Sequence, residues 1–374
     1  MSKFIYQIST TLGIFGIMIY TIIKPKVCID GATAGLLLWF NKLLPSLLPF
    51  IILTNMLFQL GVVFKLEKYI GKISKLIFGV SGSSLLTFFL GSLGGYPTGA
   101  KLTNQLISDN YISKTEAQKT LCFSNNCGLL FIIATVGTLL LGDVKLGYFL
   151  AGVHLISAFT LLLISRFYVT DEVHNTTQTS RKVEQVSFIS ALTHSVQIGM
   201  DTIVYVGGYI IFFSVILYIV KDLVFFDMLI NLFAQILNIE PVFLDSLLLG
   251  SLEFSNGTAY IAPIALTKLT YLGGLSAIIG FGGFCVFFQT AHILMDTDLS
   301  LGLYLFAKII HAILAYSYTM LLYPIYISIT QKIEVPMNES AGIAILIIFV
   351  GLSTLLHIVS NGVKLKNNLS TKNA

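Results

Sequence analysis

Gly91-Ser92-Leu93-Gly94-Gly95-Tyr96-Pro97-Thr98-Gly99-Ala100-Lys101 is the stretch on which the reading of this chain turns. It lies inside an apolar segment, 82–108, long enough to cross a bilayer, yet it does not suit one continuous helix. Gly94-Gly95 and Gly99 are costly in a helix interior, and Pro97 lacks a donor. A re-entrant helix–turn–helix hairpin satisfies these residues, with a second arm starting near Pro97-Thr98, where proline is tolerated in the first turn. Lys101 and Asn104 then sit near that helix start, whose free N–H groups attract an anion. A second segment, 243–268, repeats the tripeptide as Gly250-Ser251-Leu252 and runs on through Glu253-Phe254-Ser255-Asn256-Gly257-Thr258. Non-helical backbone at membrane depth has to be buried in protein or line a cavity. Both segments are therefore candidates for a binding site.

Composition places them in a membrane. Of 374 residues, 55% are hydrophobic and 11% charged, against about 25% charged in soluble domains. With a mean hydropathy of +0.86, this excludes a soluble enzyme, a disordered protein and a nucleic-acid binder. The cysteines (Cys28, Cys122, Cys127, Cys285) form no CxxC pair and sit mostly in apolar runs, which argues against a disulfide framework or zinc site.

A spanning helix needs about 20 apolar residues. Eight spans are expected: 4–23, 36–63, 119–141, 145–168, 195–220, 271–295, 302–329 and 341–360. The first reads as an uncleaved anchor, because Ile22-Ile23-Lys24-Pro25 follows in place of a small-residue cleavage site. Lys65, Lys68, Lys72 and Lys75, then Arg166, Arg181 and Lys182, then Lys364, Lys366 and Lys372 fall on one side together with both termini, which sets that side as cytoplasmic. Lys24 and Lys26 fall on the opposite side and fit this arrangement poorly.

The polar stretch 170–190 divides two halves with a common order. The first runs span 36–63, amphipathic stretch 64–78, broken segment 82–108, spans 119–141 and 145–168. The second runs span 195–220, amphipathic stretch 222–240, broken segment 243–268, spans 271–295 and 302–329. In the first amphipathic stretch the lysines share one face while Leu66, Tyr69, Ile70, Ile73 and Ile77 share the other, as in an interfacial helix on anionic lipid. By the span count the two broken segments enter from opposite sides, the sequence pattern of inverted-repeat secondary transporters.

Glu253 is the most conspicuous acid at membrane depth; such a residue faces a cavity, a cation or a proton path, or else caps a hairpin tip. Ser113-Lys114-Thr115-Glu116 reads as a capping box for a helix running through Ser124, Asn125 and Asn126 to Gly128. The counterpart region carries Gly280-Phe281-Gly282-Gly283, then Gln289, His292 and Asp296 on one helical face. Buried amides suit a polar substrate because they both donate and accept; the plainer reading of Asn125, Asn126 and Gln289 is hydrogen bonding between spans. Asp296 and Asp298 read as lying at the cytoplasmic end, and His154, His194 and His311 as partnered or interfacial histidines. There is no GxxxxGK[ST], no HExxH and no Ser–Lys or paired-Asp motif, so an enzyme or a nucleotide-driven pump is not expected.

Pro45-Ser46-Leu47-Leu48-Pro49-Phe50, Gly94 to Lys101, Phe123-Ser124-Asn125-Asn126 and the run from Phe281 to Asp298 together resemble the YlbJ-type sporulation integral membrane proteins. That family resembles the nucleoside-recognition "Gate" superfamily and looks like a distant relative of concentrative nucleoside transporters. The resemblance covers roughly Ala34 to Tyr326. It implies a membrane protein of spore-forming bacteria that moves dipicolinate, a small aromatic dicarboxylate, across the outer forespore membrane.

The resulting expectation is an all-α polytopic protein: an anchor (1–33), a first Gate-like repeat (34–169), a cytoplasmic linker (170–194), a second repeat (195–330) and a C-terminal helix with a polar tail (331–374). Substrate would be held by Gly94, Gly95, Tyr96, Thr98, Lys101, Ser124, Asn125, Asn126, Glu253, Ser255, Asn256 and Gln289. No cofactor is expected beyond a coupling proton or sodium ion, and no metal. The partners are the lipid bilayer and a small-molecule substrate, without nucleic acid; relatives of this fold often associate, so a homo-oligomer is also an expectation. A nucleoside-like metabolite is the rival substrate, and a non-transporting scaffold for sporulation proteins the rival role.

Overall fold

The structure, a computed structural model, describes residues 2–167 and 186–330. The expected span 341–360, the polar tail and most of the linker lie outside the described residues. Within these the chain is helical, with no strand.

Helix α1 (Ser2–Ile23) ends at Lys24, and α2 (Pro25–Leu38) starts at once. Proline at the first helical position forfeits only a donor that has no partner there anyway. α2 continues through a π-helical turn (Trp39–Leu43) into α3 (Leu44–Gln59). The span expected at 36–63 therefore begins at residue 25. The joint at Lys24 is pinned from outside: Lys24 pairs with Asp222 at 3.4 Å, and Tyr20 donates to the same carboxylate at 2.5 Å.

Next come α4 (Val62–Phe78), α5 (Gly82–Gly94), α6 (Thr98–Ser108) and α7 (Lys114–Ser124), then a π-helical segment (Phe131–Leu140) and α8 (Val144–Ser165). After residue 185 follow α9 (Phe188–Asp222), α10 (Val224–Leu237), α11 (Pro241–Leu252), α12 (Phe254–Ala265), α13 (Leu269–Phe281), α14 (Gly283–Ile293) and α15 (Leu301–Thr330). The order long helix, short helix, helical hairpin, broken helix, closing helix thus occurs twice. Residues from Pro324 onward belong to a second structural unit, of which only the last turns of α15 are described.

Among the described residues, five helical stretches are long and apolar enough to span a membrane, or up to seven if each bent pair counts as one. The bent pairs are α4–α5, at 92°, and α10–α11, at 118°. A turn of that size lets an amphipathic helix lie along the interface while the next helix dives inward. On α4 the four lysines are exposed, whereas Glu67 turns back to accept from the Gly82 N–H and the Ser83 hydroxyl at the start of α5.

Three further boundaries differ from the sequence expectation. α9 starts at Phe188, not 195: Ser187 caps it by accepting from the Ser190 N–H at 3.2 Å, so residues assigned to the linker are helical. At about 1.5 Å per residue its 35 residues reach roughly 52 Å, longer than a bilayer core is thick. The expected span 119–141 is interrupted, because α7 stops at Ser124 and residues 125–128 are unwound. The expected span 271–295 breaks at Gly282, whose φ of +80° lies in the left-handed region that glycine tolerates. The capping box is half formed as well. Ser113 accepts from the Glu116 N–H, but the Glu116 carboxylate reaches away to the Ser81 N–H and the Ser84 hydroxyl.

Close packing depends on missing side chains. A Cβ on Gly35 would lie 2.7 Å from Ser214 Oγ and 2.9 Å from Ile211 Cα, so Gly31 and Gly35 bring α2 flush against α9. A Cβ on Gly91 or Gly99 would lie 2.1 or 2.2 Å from the Ser124 carbonyl oxygen. The end of α7 is thereby seated directly on both arms of the first hairpin.

A cleft beside the hairpins and a polar core behind them

The hairpins turn where the sequence breaks. The first runs α5 to α6 through Gly95 (φ +74°) and a cis Tyr96–Pro97 bond. The second runs α11 to α12 through Glu253 alone. Their tips meet: the Tyr96 and Phe131 rings each pack against Phe254, at 5.6 and 5.4 Å. A small apolar void there is lined by Leu47, Tyr96, Cys127, Phe254 and Gln289.

Gln289 also borders a cleft of about 310 Å³ between α6, α9 and α14, within the range of roughly 300–1,000 Å³ of small-molecule sites. Lys101, Asn104, Asp201, Thr202, Tyr205, Tyr209 and His292 line it. Lys101 Nζ donates to Thr202 Oγ1 at 2.6 Å and to the Ile198 carbonyl at 3.4 Å. The Tyr205 and His292 rings lie 4.9 Å apart. Asn104 Nδ2 donates to the Ile293 carbonyl at 3.0 Å. Gln289 Nε2 donates to Cys285 Sγ at 3.2 Å, and its buried Oε1 has no partner. The amide is thus held at one end and unsatisfied at the other, at the boundary between cleft and void.

Of the residues read from sequence, Lys101 and Gln289 line this cleft, and Tyr96 lines the void with Gln289. The others serve the surrounding frame. Gly94 is pressed against Thr98, and Gly95 against Leu47 and Gly128. Thr98 is buried with Oγ1 unpartnered. Ser124 Oγ lies 3.5 Å from Thr103 Oγ1. Asn126 Nδ2 donates to Ser92 Oγ and the Phe123 carbonyl, and its Oδ1 has no partner. Glu253 caps α12: Oε1 accepts from the Ser255 N–H and hydroxyl, and Oε2 from the Asn256 N–H at 2.6 Å. Asn256 Nδ2 donates to Ser214 Oγ at 2.7 Å. The α6 start expected to attract an anion is occupied, since the Ala100 N–H donates to Asn125 Oδ1 at 3.3 Å. Gln289 and His292, expected on one helical face, both lie on α14 and line the cleft, but α14 ends at Ile293, so Asp296 lies beyond that face.

Behind the tips the unwound residues 125–128 expose backbone groups that a helix would have paired. The Asn125 carbonyl accepts from Lys308 Nζ at 3.1 Å, and the Cys127 N–H donates to His154 Nε2 at 3.2 Å. Asn125 Nδ2 donates to Tyr304 OH at 2.8 Å and Thr290 Oγ1 at 3.0 Å. This core joins the first hairpin, α7, α8, α14 and α15. Sequence reading missed Lys308, Tyr304 and Thr290, together with Asp201, Thr202 and Tyr205 in the cleft. A usable signal existed for Lys308, a lysine inside the apolar run from Leu301 to Leu314.

No family model matches the chain, and no solved structure matches it. Among characterised proteins it is 30% identical, over 324 residues, to "Sporulation integral membrane protein YlbJ" of Bacillus subtilis (strain 168). The match covers 81% of this chain and 79% of that relative.

Proposed function

The chain belongs to the YlbJ family of sporulation integral membrane proteins, and from that premise we propose that it is a secondary transporter of a small anionic metabolite, dipicolinate. It is not an enzyme; substrate passes by alternating access between the two hairpins. The two sequence halves act as inverted repeats, and the site lies where their broken helices meet. Transport takes place in the outer forespore membrane during sporulation, with both termini in the cytoplasm.

The observation that carries this reading is the cleft of about 310 Å³ that ends on Gln289 beside both hairpin tips. Its walls offer what an aromatic dicarboxylate needs: the Lys101 ammonium and the His292 ring for carboxylates, amides at Asn104 and Gln289, and the flat faces of Tyr205 and Tyr209. Asp201 lines the same cleft. A nucleoside-like metabolite would use the same rings and amides but has no need of Lys101. Competition for labelled dipicolinate on the purified protein separates the two. Unlabelled dipicolinate should displace the label and a nucleoside should not; the reverse order would favour the nucleoside.

A further inference from the structure

Lys308 is 2% exposed, and among the described residues no carboxylate pairs with it. Its neighbours account for both of its protonation states. Nζ lies 3.1 Å from the Asn125 carbonyl and 3.0 Å from His311 Nδ1. A neutral amine has two N–H bonds, and these two acceptors use both. A third N–H, gained on protonation, has the Tyr96 ring face, whose centroid is 5.0 Å from Nζ. His311 Nε2 lies 3.3 Å from the His154 carbonyl; that contact places the His311 hydrogen on Nε2 and leaves Nδ1 to accept from Lys308. The His154 ring stacks on His311 at 4.6 Å. His154 Nε2 is taken by the Cys127 N–H, and its buried Nδ1 has no partner.

The titratable groups facing this cluster are Tyr304 on α15, His154 on α8, Cys122 on α7, Cys127 in the unwound segment, and Tyr96 on the first hairpin. None is a carboxylate. Lys308 and His311, in contact, cannot both carry a charge at low cost, so the pair holds one proton or none. Its two backbone anchors, Asn125 and, through His154, Cys127, are the unwound residues against which the first hairpin packs.

We infer that Lys308, backed by His311 and His154, is a proton-carrying site whose charge state sets the grip on residues 125–128 and on the Tyr96 tip. This deepens the transport reading by naming a proton as the coupled ion.

The test uses full-length protein in nanodiscs with Cys127 as its sole cysteine (Cys28→Ser, Cys122→Ala, Cys285→Ala). Alkylation of Cys127 is timed from mildly acidic to mildly alkaline pH, with and without Lys308→Met, so that the thiol's own pH dependence cancels in the ratio. The ratio of the two rates should change several-fold across the range; a constant ratio overturns the proposal. Lys308→Arg, charged throughout, keeps a cation in place should Lys308→Met fail to fold, and its profile should lose the pH-dependent step. A Lys308→Arg profile identical to that of the parent would overturn the proposal too. Counterflow of labelled dipicolinate in liposomes at equal pH reads the transport reading separately. Counterflow with a constant ratio removes the proton site and keeps transport; a pH-dependent ratio without counterflow does the reverse.

Discussion

Lys101 Nζ donates to the Thr202 hydroxyl at 2.6 Å, tying the second arm of the first hairpin to α9 across the cleft wall. On the transport reading proposed above, an entering carboxylate would compete with that hydroxyl for the same ammonium. Lys101→Ala is expected to weaken dipicolinate binding roughly ten- to hundredfold, the loss of one charged hydrogen bond of about 1.5–3 kcal/mol. Thr202→Val removes only the competitor and should leave binding equal or tighter. Equilibrium binding of labelled dipicolinate to both variants checks the pair.

Asn125 and Asn126 are adjacent and equally buried but differently employed. Asn125 uses both ends of its amide, on Ala100, Thr290 and Tyr304, while Asn126 leaves Oδ1 without a partner. Asn125→Ala strands the Ala100 N–H, at a cost of about 1–3 kcal/mol for that group alone. It should lower the thermal midpoint in detergent more than Asn126→Ala does.

The carboxylate of Glu253 accepts three hydrogen bonds at the start of α12. A glutamine NH₂ cannot accept, so Glu253→Gln forfeits one side of the cap, about 1–2 kcal/mol on the scale of helix caps. Thermal unfolding of the variant should show that loss. An unchanged midpoint would mean the cap contributes nothing.

Glycine contacts give a sign test for packing. Gly99→Ala would push a methyl to 2.2 Å from the Ser124 carbonyl oxygen, whereas Gly208→Ala meets nothing within 4 Å. The first should destabilise by about 1–3 kcal/mol or more, the second by no measurable amount, in the same melting assay.

The hairpins were legible because Gly94-Gly95, Pro97 and Glu253 interrupt apolar runs with residues whose backbone preferences are strong. The amphipathic helix α4 was legible from its lysine spacing. The unwinding at 125–128 was not, since its cause is tertiary: Asn125 trades helix bonds for partners far away in sequence, and Gly91 and Gly99 make room for Ser124. Nor was the continuous Pro25–Gln59 stretch, because Lys24-Pro25 reads like a loop until Asp222 is seen holding Lys24. The cleft was half legible. Lys101 and Gln289 announce themselves as polar residues in apolar surroundings. Asp201 and Thr202 sit in α9, which reads as a plain span, and Lys308 is a single lysine in an apolar run, less prominent than Glu253.

The central claim is that a small dicarboxylate passes through the cleft between α6, α9 and α14, beside the hairpin tips. It is tested most directly by uptake of labelled dipicolinate into liposomes containing the purified protein, beside Lys101→Ala and Thr202→Val. Saturable uptake that is lost in Lys101→Ala and kept in Thr202→Val is the predicted result. Absence of uptake by folded protein under an imposed proton or sodium gradient, or uptake indifferent to Lys101, would contradict it.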